Sequence, residues 1–120
     1  MTGLPKVVGP YSLWVRSGEF VVTSGQIGLR DGESVGPDIE SQTLQVFANL
    51  KIVLADAGLT LADVIKTTVF LTEMADYPAM NAIYAAEFGE TRPARSAVGV
   101  AALPAGAIVE IEAWCHAPLS

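Results

Sequence analysis

Near its carboxyl end the chain alternates apolar and other residues over two stretches, Arg95 to Val100 and Ala107 to Cys115. A period of two means strands with two chemically distinct faces. Leu103-Pro104-Ala105-Gly106 between them has turn composition, so the spacing predicts a closing hairpin. Val98, Val100, Val109, Ile111, Ala113 and Cys115 would form the face packed under a second layer. Arg95, Ala97 and Gly99 would then share the opposite face with Glu110, Glu112 and Trp114.

The second layer is legible upstream. Ile39, Val46, Phe47, Leu50, Val53, Leu54 and Ala57 fall at the three-and-four spacing of one helical face, with Asp38 as N-cap and Gly58 as stop. A second helix is expected over Tyr77 to Phe88, capped by Asp76, with Pro78 in its first turn and Gly89 at its end. Met80, Ile83, Tyr84 and Phe88 form its buried stripe, and Asn81 reads simply as part of the helix. Between the helices, Thr60 and Asp63 have capping-box spacing and Val64 to Leu71 is β-branched enough for a strand. At the amino end, Tyr11 to Val15 and Phe20 to Thr23 flank Arg16-Ser17-Gly18-Glu19 as an opening hairpin. Ser24-Gly25 interrupts the pattern before Gln26 to Leu29, as a bulge or close backbone approach would, and Arg30 to Pro37 reads as a loop. The order β-β-(β)-α-β-α-β-β makes residues 1–120 a single α+β domain, one sheet with two helices packed on one face.

Such a sheet leaves a face bare, and composition says what should cover it. Hydrophobic residues make up 51% of the 120 and charged residues 17%, against about 25% charged in an ordinary soluble domain. A domain this small has little interior, so self-association is expected. The net charge of −6 and scattered Lys and Arg argue against a nucleic-acid partner, which would call for a basic stripe. One cysteine and one histidine provide neither a disulfide nor a zinc set. Cys115 is expected in the core, His116 exposed, and Trp14 in the core or a subunit interface. Without a signal-peptide pattern or an apolar run of about 18 residues, a cytoplasmic protein with no membrane partner is expected.

Five segments also carry a family resemblance: Gly9-Pro10-Tyr11-Ser12, Thr23-Ser24-Gly25-Gln26-Ile27, Val64 to Leu71, Pro93-Ala94-Arg95-Ser96 and Glu110-Ile111-Glu112-Ala113. In order and spacing they resemble the RidA/YjgF family along nearly the whole chain. The resemblance implies a chorismate-mutase-like fold and a homotrimer with clefts between subunits. The implied activity is hydrolysis of reactive enamines and imines, such as 2-aminoacrylate, to a 2-keto acid and ammonia, with no cofactor or metal. It makes Glu110 the catalytic candidate, Tyr11 a pocket wall or substrate contact, and Ser24 and Ala97 substrate neighbours.

The chemistry of the residues agrees with that implication. An imino acid has a carboxylate to hold and an electrophilic carbon to hydrate. The planar guanidinium of Arg95 suits the first task through two parallel bonds, and Glu110 could take a proton from the attacking water. Many relatives carry a cysteine and an acidic residue where this chain has Ala97 and Gly99, so a roomier cleft and larger imino acids are expected. Two other functions fit the same pattern: a trimeric binder of small carboxylates or ketones without turnover, and a ribonuclease or translation inhibitor, against which the acidic charge counts.

Overall fold

The computed structural model describes residues 3–119. Strands β1 (Trp14–Ser17) and β2 (Phe20–Thr23) form the opening hairpin around Gly18, whose φ of +59° suits glycine. β3 (Gln26–Ile27) follows the Ser24-Gly25 break, and β2 and β3 then pair with successive parts of one strand, β8. The expected loop contains a small two-stranded ribbon, β4 (Leu29–Arg30) and β5 (Glu33–Ser34). Asp31 and Gly32 both have positive φ there, as an Asp-Gly hairpin turn requires. This ribbon is a second, minor sheet beside the single one expected.

Helix α1 (Ile39–Asp56) begins where Asp38 accepts the Ser41 backbone N–H at 2.9 Å, and beyond its end Gly58 turns left-handed at φ +79°. Val46, Phe47, Leu50, Val53 and Leu54 are fully buried, each contributing about 1.5–3 kcal/mol. Its polar stripe organises the irregular segment beneath it. Asn49 Nδ2 donates to the Ile27 and Leu29 carbonyls, while Gln42 donates to the Gly36 carbonyl and accepts from Ile108 N. Gly28 lets α1 come this close, since a Cβ there would lie 2.9 Å from Gln42 Cβ.

Thr60 and Asp63 form the expected capping box before β6 (Val64–Leu71). Helix α2 (Tyr77–Phe88) buries Met80, Tyr84 and Phe88 and half-buries Ile83. Asp76 makes no side-chain cap; Glu73 instead caps the turn that precedes the helix, accepting from Ala75 N.

The closing hairpin is not there. β7 (Ala94–Gly99) runs parallel to β6, and β8 (Val109–His116) runs antiparallel to β6 on its other side, giving the order β1-β2-β8-β6-β7. α2 is the crossover that a parallel pair needs, so β6 takes the place beside β8. The Pro104–Gly106 turn lies within a longer connection that steps over β6, about two strand spacings wide.

The expected division of faces fails for β7 as a consequence. Arg95 aligns with Thr67, and Thr67 with Ala113, both buried on the helix side. Val98 aligns instead with Phe70 and Glu110 on the bare side and is exposed. Hydrophobicity misleads here because the bare face is itself apolar in part, with Val15, Phe20, Val98 and Trp114 all exposed. Arg95 and Glu110 therefore do not share a face.

Trp14 packs against the core, and its indole N–H donates to Asp56 Oδ2 at 2.8 Å, tying β1 to the end of α1. Cys115 is buried, and burial, aided by the Asp63 charge, pushes its thiol up to about 11. His116 is exposed at the end of β8, 3.4 Å from Glu19. Among the described residues no helix is long and apolar enough to cross a membrane.

Candidate active site

Arg95 lies on the edge strand β7, turned towards α2. Its Nη1 donates to Asn81 Oδ1 and its Nη2 to the Tyr77 hydroxyl, both at 2.8 Å. The guanidinium carbon stands 4.7 Å from the Tyr84 ring centroid and 5.4 Å from that of Tyr77. Tyr77, Asn81 and Tyr84 are spaced four and three residues apart, so one helical face presents all three to the arginine. Tyr84 is itself held by a 2.6 Å hydrogen bond to buried Thr67. Burial raises its hydroxyl's pKa, opposed by that bond and by the Arg95 charge.

Every partner of the guanidinium is neutral. Among the described residues the contacts between basic side chains and carboxylates are Lys51 with Glu87 and His116 with Glu19, so Arg95 has no carboxylate. Two of its five N–H donors are engaged, which leaves a fixed positive charge with donors to offer. The sequence pattern singled out Arg95 but missed its supports, which read as ordinary helix. Their signal was polar and aromatic groups at helical spacing on a face that otherwise should be apolar.

Glu110 lies on the other side of the sheet. It aligns with Phe70 of β6, three positions beyond the Thr67 level of Arg95, and with Ile27 of β3. It is half-buried, and desolvation, followed by the neighbouring Glu112 charge, raises its carboxyl's pKa. The carboxylate lies against the Gly25 backbone, where any Cβ would overlap it. The Ser24-Gly25 break thus serves a side chain far away in sequence. Gly25→Ala is expected to leave the melting temperature nearly unchanged, because the obstructed atoms end a flexible side chain, while displacing the carboxylate and lowering turnover about a hundredfold, the low end of a general base's contribution. Wild-type turnover in G25A would show that the carboxylate's position does not matter.

The remaining candidates divide between these places. Ser24 donates its hydroxyl to the Ser12 carbonyl at 2.5 Å, bracing the segment that carries Tyr11. Tyr11 is exposed; it lies with Gly25 along a groove of about 490 Å³ between the amino-terminal segment and α1. Ala97 is half-buried on the Arg95 side. Beyond it the space left by Gly99 is occupied, since a Cβ there would lie 3.2 Å from Met74 Cγ. One chain thus holds the candidate residues in separate places: Arg95 with Ala97 beside α2, Glu110 against Gly25 on the other side of the sheet, and Tyr11 with Gly25 along the groove. Among the described residues no three His, Cys, Asp or Glu side chains gather where they could hold a metal ion.

A sheet with two helices on one face, a neutrally held arginine on its edge and a half-buried carboxylate behind it define a class of small α+β protein. The Endoribonuclease L-PSP family matches residues 1–117, and the chain belongs to this family, the YjgF/RidA/RutC proteins. A RutC family protein of Pyrococcus horikoshii is 49% identical over 114 residues, 93% of this chain and 90% of that protein. The 2-iminobutanoate/2-iminopropanoate deaminase of Salmonella typhimurium is 43% identical over 114 residues, covering 91% and 88% of the two chains. Among solved structures, E. coli TdcF with bound serine matches at a TM-score of 0.88 and 38% identity, over 94% of this chain and 92% of that one.

Proposed function

We propose that this chain hydrolyses the C=N bond of small imino acids in clefts between the subunits of a homotrimer. The observation that carries the reading is Arg95: a guanidinium oriented by three neutral side chains, with no acid among the described residues to neutralise it. Such a group is organised for a carboxylate, and none of the described residues supplies one. Relatives named 2-iminobutanoate/2-iminopropanoate deaminase support the same chemistry.

In the reaction, water adds to the imine carbon and the C–N bond then breaks, so imino acid and water give 2-keto acid and ammonia. Arg95 holds the carboxylate beside the reacting carbon. Glu110 takes the proton of the attacking water and returns one to the departing nitrogen, with Tyr11, Ser24 and Ala97 bordering the substrate. Because Arg95 and Glu110 stand on opposite faces of one sheet, the complete site takes Arg95 from one subunit and Glu110 from the next. The exposed Trp114, Val15, Phe20 and Val98 of the bare face are the surface that such an assembly would cover.

The reading is tested by adding the protein to a dehydratase that generates 2-aminoacrylate and following keto-acid release. Accelerated release is expected; release at the spontaneous rate, with keto acids still bound, would make the protein a carboxylate binder without turnover. The profile of kcat/KM against pH adds a second check. A base must be ionised to act, and desolvation and Glu112 both raise Glu110. Activity is therefore expected to fall, as pH drops, through a pKa above the ordinary Glu value of 4.5. Glu112→Gln removes the like charge and should move that acid limb to lower pH. A limb that stays in place would belong to another group.

A further inference from the structure

Arg95 accounts for one anionic group of a substrate, and a second cation beside it has no task in that reaction. A cleft of about 280 Å³ between α2 and the start of β7 is lined by Asn81, Tyr84, Ala85, Arg92, Pro93 and Arg95. Among the described residues no carboxylate lines it. Arg92 Nε donates to the Gly89 carbonyl at 2.8 Å, which anchors the side chain and leaves both Nη groups without a carboxylate partner among the described residues. Pro93 restricts the backbone between the two arginines, on its own φ and on the residue before it, so the segment that carries them is stiffened.

The cleft's other polar side chains, Asn81 and Tyr84, are neutral and already engaged. A guanidinium has no acceptor, so Asn81 must turn Oδ1 to Arg95. The Tyr84 hydroxyl is engaged with Thr67. Two full positive charges in one small cleft repel each other, and an anion between them relieves that repulsion. In the other direction along β7, Met74 fills the space beside Gly99, so the room for a substrate side chain lies towards Arg92.

We propose that this cleft receives the distal carboxylate of a dicarboxylic substrate, Arg95 holding the carboxylate beside the reacting carbon and Arg92 the one at the far end. The substrate class is the imines of acidic amino acids, and the products are 2-keto dicarboxylates. The reaction rests on the deaminase reading; the binding preference does not.

Two measurements on the intact protein at constant ionic strength test it. In calorimetric titrations, 2-oxoglutarate should bind about tenfold more tightly than 2-oxobutanoate, the effect of one charge-assisted hydrogen-bonded contact. Arg92→Gln should remove most of that ratio. With imines formed in situ by amino-acid oxidases from glutamate and from alanine, kcat/KM should favour the glutamate-derived imine by a similar factor, again reduced in R92Q. Equal affinity for the two keto acids, or a preference that survives in R92Q, overturns the proposal. Turnover of neither imine, together with Arg92-dependent binding of 2-oxoglutarate, would remove the deaminase reading and support the dicarboxylate cleft.

Discussion

Replacing Arg95 by alanine should abolish imine turnover and 2-keto acid binding while the protein stays folded. Asn81, Tyr77 and Tyr84 are neutral, so removing the guanidinium leaves no buried charge behind. The stability lost is of the order of two ordinary hydrogen bonds, about 1 kcal/mol each. The carboxylate beside the reacting carbon loses its charge-assisted contact. Such losses typically cost about 2–5 kcal/mol, or some thirtyfold to several-thousandfold at about 1.4 kcal/mol per decade. Keto-acid release, titration with 2-oxobutanoate and a thermal melt together check the prediction. Turnover within threefold of wild type would refute the clamp, and collapse of the melt would show Arg95 to be structural. Arg95→Lys is expected to recover little, because one ammonium cannot reproduce the fork that satisfies Asn81 and Tyr77 while facing a carboxylate.

Local sequence signals match the structure where the physics is local. Asp38 and Gly58 bound α1, Thr60 and Asp63 form their box, and Gly18 makes its turn. Strand neighbours were another matter. The alternation in Arg95 to Gly99 identifies a strand, but period two does not say which face is inward, and β7 turned out inverted. The deciding fact is that α2 returns the chain parallel to β6, a tertiary consequence that no window along β7 contains. The assumption that apolar means inward then failed at Val98 because the opposite face carries apolar residues of its own.

The candidate site divides along the same line. Arg95 is the lone charge of β7 and Glu110 one of two acids in β8, and only the family resemblance suggests pairing them. The supports do not stand out. Tyr77, Asn81 and Tyr84 become an arginine cradle only once β7 is placed next to α2, and Gly25 becomes the floor of the Glu110 carboxylate only once β3 is laid on β8. The β4–β5 ribbon, in a segment that reads as a loop, was missed although Asp31-Gly32 is a hairpin-turn dipeptide.

The separation of Arg95 from Glu110 within one chain leads to the prediction with the sharpest outcome. Glu110→Gln keeps the size of the side chain and removes the base, so it should lower turnover by about 10²–10⁴ while affecting keto-acid binding far less. Equal losses in both would argue against a base. R95A and E110Q should then each be nearly inactive alone. If a site is built from Arg95 of one subunit and Glu110 of the next, unfolding the two variants together and refolding them as a mixture creates some sites with both native residues. For an equal mixture in a closed ring, about one site in four receives them. Activity should return to about a quarter of wild type, with a molecular mass by light scattering about three times the 12.6 kDa chain. Were both residues required from one chain, no mixed assembly would contain an intact site, and the mixture would stay as inactive as its components. A mass of one chain for the active wild-type protein would have the same meaning. The size of the recovery therefore reads out directly whether Arg95 and Glu110, on opposite faces of one sheet, work across a subunit boundary.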